Sequence, residues 1–428
     1  MDITFMVVLV IVLALFFDFT NGFHDTANAM ATPIATGALR PKVAVAIAAV
    51  LNLVGAFLST EVAQTISGGL IREGNGGVQI TPEMIFAGLI GAILWNMVTW
   101  LLGLPSSSSH ALFGGLIGAA IVGAGFASID LGVLLSKIVF PALLAPLVAG
   151  LASFLATKIA YALVKKKQRS GFKYGQIFTS SLVSLAHGTN DAQKTMGIVT
   201  LTLIAANIQT PGTGPELWVI VVCAFAIALG TYTGGWRIIR TLGKGLTEIE
   251  PGQGFAAEAA TTAAILASSH LGFALSTTQV ASGSVIGTGI GRKGASVRWR
   301  TAGRIALGWL ITLPAAAAVG ALASWIAISG VWGILPGAWG VAFDAVVAAI
   351  VVALIFLYSR RNRVHAKSLQ VEPTTFVRPK KTKKAKKPKR PKKQKQPKKH
   401  KKPKHHTKAQ QKSKKSKGGK SGSKGRRK

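Results

Sequence analysis

The sequence predicts an all-α, polytopic membrane protein built from two inverted-topology repeats, with broken helices and two helical hairpins. Three observations carry that expectation. First, 49% of the 428 residues are hydrophobic, and several apolar runs approach or exceed the ~20 residues that a spanning helix needs. Second, two motifs recur in the same order. NGFHDTANAMA at 21–31 returns as HGTNDAQKTMG at 187–197, and GLPSSSSHALFGGLIG at 103–118 returns as FALSTTQVASGSVIG at 273–287. An offset of 166 lays Gly22 on Gly188, Asp25 on Asp191 and Met30 on Met196, while 169 lays Ser107 on Ser276, Gly114 on Gly283 and Gly118 on Gly287. Such self-similarity means an internal duplication. Third, the polar run 18–32, with Asp18, Asp25 and Gly22, interrupts apolar sequence on both sides. Ionisable groups at membrane depth are costly and mark an ion or substrate path, and broken backbone there is tolerated where it lines a wet cavity.

Lysine and arginine in short loops collect on the cytoplasmic side, which orients the spans. The first apolar run, 2–17, lacks a basic leader and carries Asp2, so it reads as an uncleaved span. It leads through the first motif to Arg40 and Lys42, inside. Residues 43–58 cross outward to a glycine-rich loop at 59–83, and 84–126, broken by Pro105 and four serines, form the first hairpin. Residues 132–164 cross back to a basic loop at 165–175. The second half repeats the plan from the opposite face: 176–206 carry the second motif outward, 217–235 return to Arg237 and Arg240, and 256–291, broken near Ser276, form the second hairpin. Residues 302–325 and 343–358 complete it. The first repeat (1–164) makes an odd number of net crossings, so the second (176–359) is inverted.

The net charge of +36 is an average over two unlike segments. The last, 360–428, carries 31 of the 50 lysines and arginines and only one acid, Glu372. Its Lys, Pro, Gln, Ser and Gly cannot bury a core, so a disordered cytoplasmic tail is expected. It has the charge to contact anionic lipid or nucleic acid nonspecifically, but Phe376 is its one aromatic residue, so base stacking is not expected. The lone cysteine, Cys223, excludes an internal disulfide and a thiolate cluster. No resident metal or cofactor is expected.

The motifs supply a particular chemistry. Helices that begin at PSSSSH and LSTTQ expose free N–H groups and the positive end of a dipole, and their hydroxyls add donors without charge. Two hairpins from opposite halves can thereby surround one tetrahedral oxyanion. Asp25 and Asp191 repel a bare anion and make sense as cation ligands or proton carriers. His24, His110 and His187 can relay protons or simply bond to backbone. Donors plus paired aspartates point to cation-driven anion uptake, and no nucleophile–base arrangement suggests an enzyme. A membrane anchor whose working part is the basic tail is the reading from a different class.

GFHDTANAMAT, GLPSSSSH and SLAHGTNDAQKTMG closely resemble the signatures of the inorganic phosphate transporter (PiT) family, particularly its bacterial low-affinity permeases, across about residues 15–310. The resemblance implies an inverted-repeat carrier in the plasma (inner) membrane that moves inorganic phosphate, free or as a neutral metal-phosphate complex, with sodium or protons. It implies that Ser107, Ser108, Ser109, Ser276, Thr277 and Thr278 hold phosphate and that Asp25, Asn28, Asn190 and Asp191 carry the coupling ion. This sequence departs from the GxNDxxN pattern at His24 and Lys194, and from the histidine that often follows STT at Gln279. The first two changes remove neutral oxygen ligands, and Lys194 adds a fixed cation beside Asp191. They favour proton over sodium symport. A sulfate permease remains an alternative, since sulfate is also tetrahedral. Homo-oligomerisation is left open.

Overall fold

The computed structural model describes residues 3–69, 80–164, 171–329, 337–361 and 363–369. Their regular structure is helical apart from isolated bridge residues, among them the antiparallel pair Thr247 and Val297. The first repeat comprises α1 (Ile3–Ala35), α2 (Pro41–Gly55), α3 (Glu61–Gly69), α4 (Pro82–Leu102), α5 (Ser108–Ala124) and the short α6 (Leu131–Val133), which continues through a π turn at Leu134–Val139 into α7 (Phe140–Leu163). The second comprises α8 (Phe172–Ala205), α9 (Leu217–Thr233), α10 (Trp236–Arg240), α11 (Pro251–His270), α12 (Thr277–Gly291) and α13 (Trp299–Ser329), and α14 (Ala338–Arg361) follows.

Both hairpins are punctuated in the same way. Leu102 gives way to Gly103 at φ 64°, and Gly272, its equivalent in the second repeat, has φ 68°. A left-handed residue there lets the chain fold back over the last helical turn. The closing bonds also match: Leu104 N donates to Thr99 O, and Phe273 N donates to Ser268 O, both at 2.9 Å. Each return helix then starts on a serine N-cap, Ser107 for α5 and Ser276 for α12.

The duplication extends to the seams between helices. A Cβ on Gly22 would collide with the carbonyl oxygen of Ile227 in α9, and one on Gly188 with that of Asn52 in α2. Likewise Gly230 lies against the Phe19 carbonyl and Gly55 against that of Leu185. In the hairpins, Gly114 and Gly118 meet the carbonyls of Leu313 and Ala317 on α13, as Gly283 and Gly287 meet those of Pro146 and Gly150 on α7. Small residues let membrane helices approach backbone to backbone. The pairings are crossed: α1 packs on α9 and α8 on α2, while α5 packs on α13 and α12 on α7.

Among the described residues, five stretches are long and apolar enough to cross a membrane: α1, α4, Leu131–Leu163, α13 and α14. The α9–α10 pair, bent by 57°, makes a sixth if taken as one span. Leu143, Leu147, Leu151 and Leu155 of α7 are exposed along one side, as expected of a lipid-facing surface. By contrast α8 buries its polar residues, among them Gln193, Asp191 and Lys194, in the centre.

Three expectations need correction. The motifs at 18–32 and 187–197 do not break their helices; α1 and α8 run through them without interruption. The breaks fall at the hairpin tips and between Thr233 and Trp236. Tertiary partners take up the central polar side chains, Asp25 and Asp191 among them, within intact helices. The segment 59–83, read as a loop, carries α3, whose first N–H groups are capped from α8: Gln193 Oε1 accepts from Val62 N at 2.7 Å and from Ala63 N at 3.3 Å. Third, the return read over 217–235 continues beyond its bend as α10. The basic loop at 165–170 and the tail beyond Leu369 lie outside the described residues.

Candidate functional site

At the crossing of α1 and α8 the two hairpin tips meet two carboxylates. Asp25 and Asp191 occupy equivalent turns and are both buried, at 2% and 0% exposure. Asp25 accepts from Ser108 Oγ at 3.3 Å, from Thr277 Oγ1 at 3.4 Å and from Thr278 Oγ1 at 3.2 Å, so donors reach it from both hairpins. Thr277 Oγ1 also lies 3.1 Å from Asp191 Oδ2 and thereby bridges the two acids. Asn28 donates through Nδ2 to Thr277 at 3.3 Å and to Thr278 at 3.0 Å.

Cations and imidazoles balance these charges. Lys194, one helical turn after Asp191, pairs with it and donates to the Leu275 carbonyl at 3.2 Å, on the tip of the second hairpin. His187, one turn before Asp191, places Nε2 at 2.7 Å from Oδ2. The same atom is 4.0 Å from Asp25 Oδ2, and His24 Nδ1 sits 2.6 Å from Asp25 Oδ1. Asp25, His187 and Asp191 thus face one another within 4.8 Å. A buried pair of this kind is worth little against an apolar substitute, but removing one member costs roughly 3–5 kcal/mol because the other charge is left stranded.

The structure brings together most of the residues singled out from the sequence and sorts them by task. Ser108, Thr277 and Thr278 turn hydroxyls onto the carboxylates. Ser107 accepts from His110 N at 3.2 Å and Ser276 from Gln279 N at 3.3 Å, so both spend their oxygens as helix caps. Ser109 donates to Leu275 O at 3.4 Å. Asn190 reaches Ser269 at 3.0 Å and makes no contact with Asp25 or the tips among its hydrogen bonds. His110 and Gln279, equivalent by the repeat, lie 3.5 Å apart. The pseudo-twofold axis therefore passes between them.

Two of the three histidines, His24 and His187, bond to the acids and not to backbone. His187 stands at i,i+4 to Asp191 and His24 is adjacent to Asp25, spacings visible in the sequence. The partners of His24, Thr99 Oγ1 at 3.4 Å and Ser106 Oγ at 3.3 Å, lie far away in the chain and carry no local signal. A second polar knot surrounds the buried Glu258, which accepts from Thr32, from Thr179 at 2.6 Å and from Gln176 at 3.1 Å. Chemically, the centre offers hydroxyls and helix N-termini beside compensated carboxylates. An oxyanion arriving between the tips competes for donors that the aspartates hold.

Comparison with known proteins completes the description. A family profile described as "Phosphate transporter family" matches residues 21–171 and again 160–320, one match per repeat. The chain belongs to the phosphate transporter family. Among its relatives, a probable low-affinity inorganic phosphate transporter of Mycobacterium bovis is 57% identical over 322 residues, covering 74% of this chain and 76% of the relative. A Mycobacterium leprae protein of the same description is 53% identical over 372 residues, covering 85% and 87%. One from Bacillus subtilis is 42% identical over 76% of this chain and 98% of its own length. These family members are named as transporters, not as enzymes. A solved structure titled "The sodium-dependent phosphate transporter" superposes with a TM-score of 0.67 at 24% identity, covering 75% of this chain and 98% of its own, and shares the fold.

Proposed function

We propose that this chain imports inorganic phosphate, free or as a neutral metal-phosphate complex, across the plasma membrane by proton symport. The observation that carries the proton assignment is Lys194. Its ammonium lies on Asp191 where the repeat places a neutral amide, Asn28. A fixed side chain there supplies the charge and fills the space of a bound sodium ion, so the centre holds its compensation permanently and coupling passes to a proton. In this reading Ser108, Thr277 and Thr278, with the N-termini of α5 and α12, bind phosphate oxygens. Asp25, Asn28, Asp191 and Lys194 set the charge against which phosphate enters, and Asn190 orients the turn before Asp191. Ser107, Ser109 and Ser276 shape the tips.

Phosphate is favoured over sulfate because it can donate a proton to a facing carboxylate, as sulfate cannot. Sodium coupling is the second reading, favoured by the Oδ1 atoms of Asn28 and Asn190, which find no donor. The basic loops orient Arg40 and the tail toward the cytoplasm, where the tail can touch anionic headgroups at about 1 kcal/mol per charge near the surface. Uptake of radiolabelled phosphate into proteoliposomes tests the reading. Accumulation should follow an imposed proton gradient and ignore sodium at constant pH; a sodium requirement would reverse the assignment.

A further inference from the structure

Asp18 is the buried acid that the site leaves unused. It stands seven residues before Asp25 on the same face of α1, about 10 Å along the axis at the α-helical rise. It is wholly buried. Every other central acid has partners: Asp25 has His24, Asp191 has Lys194 and His187, and Glu258 has three donors. Neither oxygen of Asp18 meets a hydrogen-bond donor among the described residues. Other buried polar atoms of α1 and α4 are unpaired too. Asn21, one turn further on, has both amide atoms free, as does Asn96 of α4, one turn before the Thr99 that touches His24. The hydroxyl of Thr195 on α8 faces Asp18 as its nearest donor but stands outside hydrogen-bond distance. This is a run of buried, unsatisfied polar atoms reaching from Asp18 toward Asp25, in a protein whose other polar groups are largely paired. Buried polar groups without partners call for water or an ion.

The charged and titratable groups facing Asp18 are few. From α8 they are Asp191, His187 and Lys194, and from α9 Cys223. The acid on α4, Glu83, stands in its first turn, and Lys42 stands at the start of α2, which leads away from the Arg40 end of α1. None makes an ion pair with Asp18. The repeat underlines the asymmetry: the equivalent of Asp18 is Ser184, whose hydroxyl is committed to Ser180 O at 3.1 Å. One half of the molecule therefore carries an extra acid. By the orientation of the basic loops it lies on the outer side of the phosphate site.

We propose that Asp18 is the group on which the coupling proton boards. One proton from water on the outer side forms one O–H bond on the Asp18 carboxylate, and the same bond breaks when the proton is released to the inner side. No other bond changes. Asp18 forms no ion pair with Lys194 or His187, so protonation removes a buried charge that is costly to keep, and the proton travels inward with the phosphate. The proposal rests on proton symport, and its test separates the two.

Proteoliposomes containing wild-type protein, Asp18→Asn or Asp18→Glu are assayed for phosphate accumulation under an imposed pH gradient, and for exchange of labelled against unlabelled phosphate at equal pH. The expected result is that Asp18→Asn loses gradient-driven accumulation and its pH dependence while keeping exchange, which needs no net proton movement. Asp18→Glu, which restores a carboxyl, keeps both. Wild-type protein that ignores the pH gradient would sink the symport reading itself. Wild-type protein that responds, with Asp18→Asn responding equally, would overturn the role of Asp18 alone. So would loss of exchange together with drive in an Asp18→Asn protein that inserts normally, because that marks a structural part.

Discussion

The position that most sharply divides proton from sodium coupling is Lys194, and its replacement by asparagine makes both repeats carry the same residue one turn after their aspartate. The side chain is 1% exposed and ties Asp191 to the Leu275 carbonyl at the second tip. Its removal takes the ammonium from the buried Asp191 charge and leaves His187 as the other ion partner, a penalty of up to roughly 3–5 kcal/mol. If transport depends on that charge being offset, uptake in sodium-free medium should fall by roughly a hundred- to a few-thousandfold. The shortened side chain leaves room beside Asp191, and its amide oxygen is a neutral ligand. Sodium should therefore rescue the variant. Two assays check this. Phosphate uptake by Lys194→Asn should require sodium, whereas the wild type should be indifferent to it. Thermal unfolding of the purified variant should be delayed by sodium but not by choline; an ion at a hundred times its dissociation constant adds about 2.7 kcal/mol to a folded state that alone binds it. A Lys194→Asn protein with the rate, affinity and ion dependence of the wild type would remove Lys194 from the mechanism.

Further expectations concern other parts of the molecule. Asp25→Asn and Asp191→Asn should each abolish gradient-driven uptake while leaving an inserted protein, checked by uptake alongside surface labelling; wild-type rates in either would make that aspartate structural only. Gly118→Ala and Gly287→Ala should each lower the unfolding temperature, because the new methyl meets a carbonyl of the packed neighbour and overpacking costs roughly 1–3 kcal/mol or more. Gly303→Ala, where a Cβ meets nothing within 4 Å, should be neutral or slightly stabilising, so equal effects at all three sites would refute the seam argument. Glu258→Gln should cost roughly 1–3 kcal/mol in thermal stability by turning an acceptor of three bonds into a group with donors of its own. An isolated 360–428 peptide should bind anionic vesicles and release as salt is raised; binding to neutral vesicles equally well would rule out the electrostatic contact.

The duplication was legible because it is written in residues that geometry demands twice. Gly22 and Gly188, like Gly118 and Gly287, must each admit a neighbour's carbonyl, so substitution at these positions is constrained by backbone contact. The course of α1 and α8 was not legible. Asp, Asn, Thr and Gly are poor helix formers, and their density around Asp25 suggested a break, yet Thr26 bonds back to Gly22 O at 2.6 Å within an intact helix. Burial against α9 overrides the local preference. A run of four serines likewise does not announce which hydroxyl will cap a helix. The structure gives that work to Ser107 and leaves Ser108 for Asp25. Nor could sequence reveal that His24 is held by Thr99 and Ser106, since both contacts depend on how the first hairpin docks.

The crossed pairing of the repeats has a consequence for how such a chain can exist at all. Because α5 leans on α13 and α12 on α7, neither half owns a complete seam, and the contacts that bury Gly22, Gly55, Gly114 and Gly118 of the first half are provided by the second. A polypeptide ending before Phe172 would display bare carbonyl-accepting grooves on α1, α2 and α5 and could not close them by itself. The two halves are therefore obligate complements, interleaved like the fingers of clasped hands, and a cut between them would yield fragments that are competent only when made together.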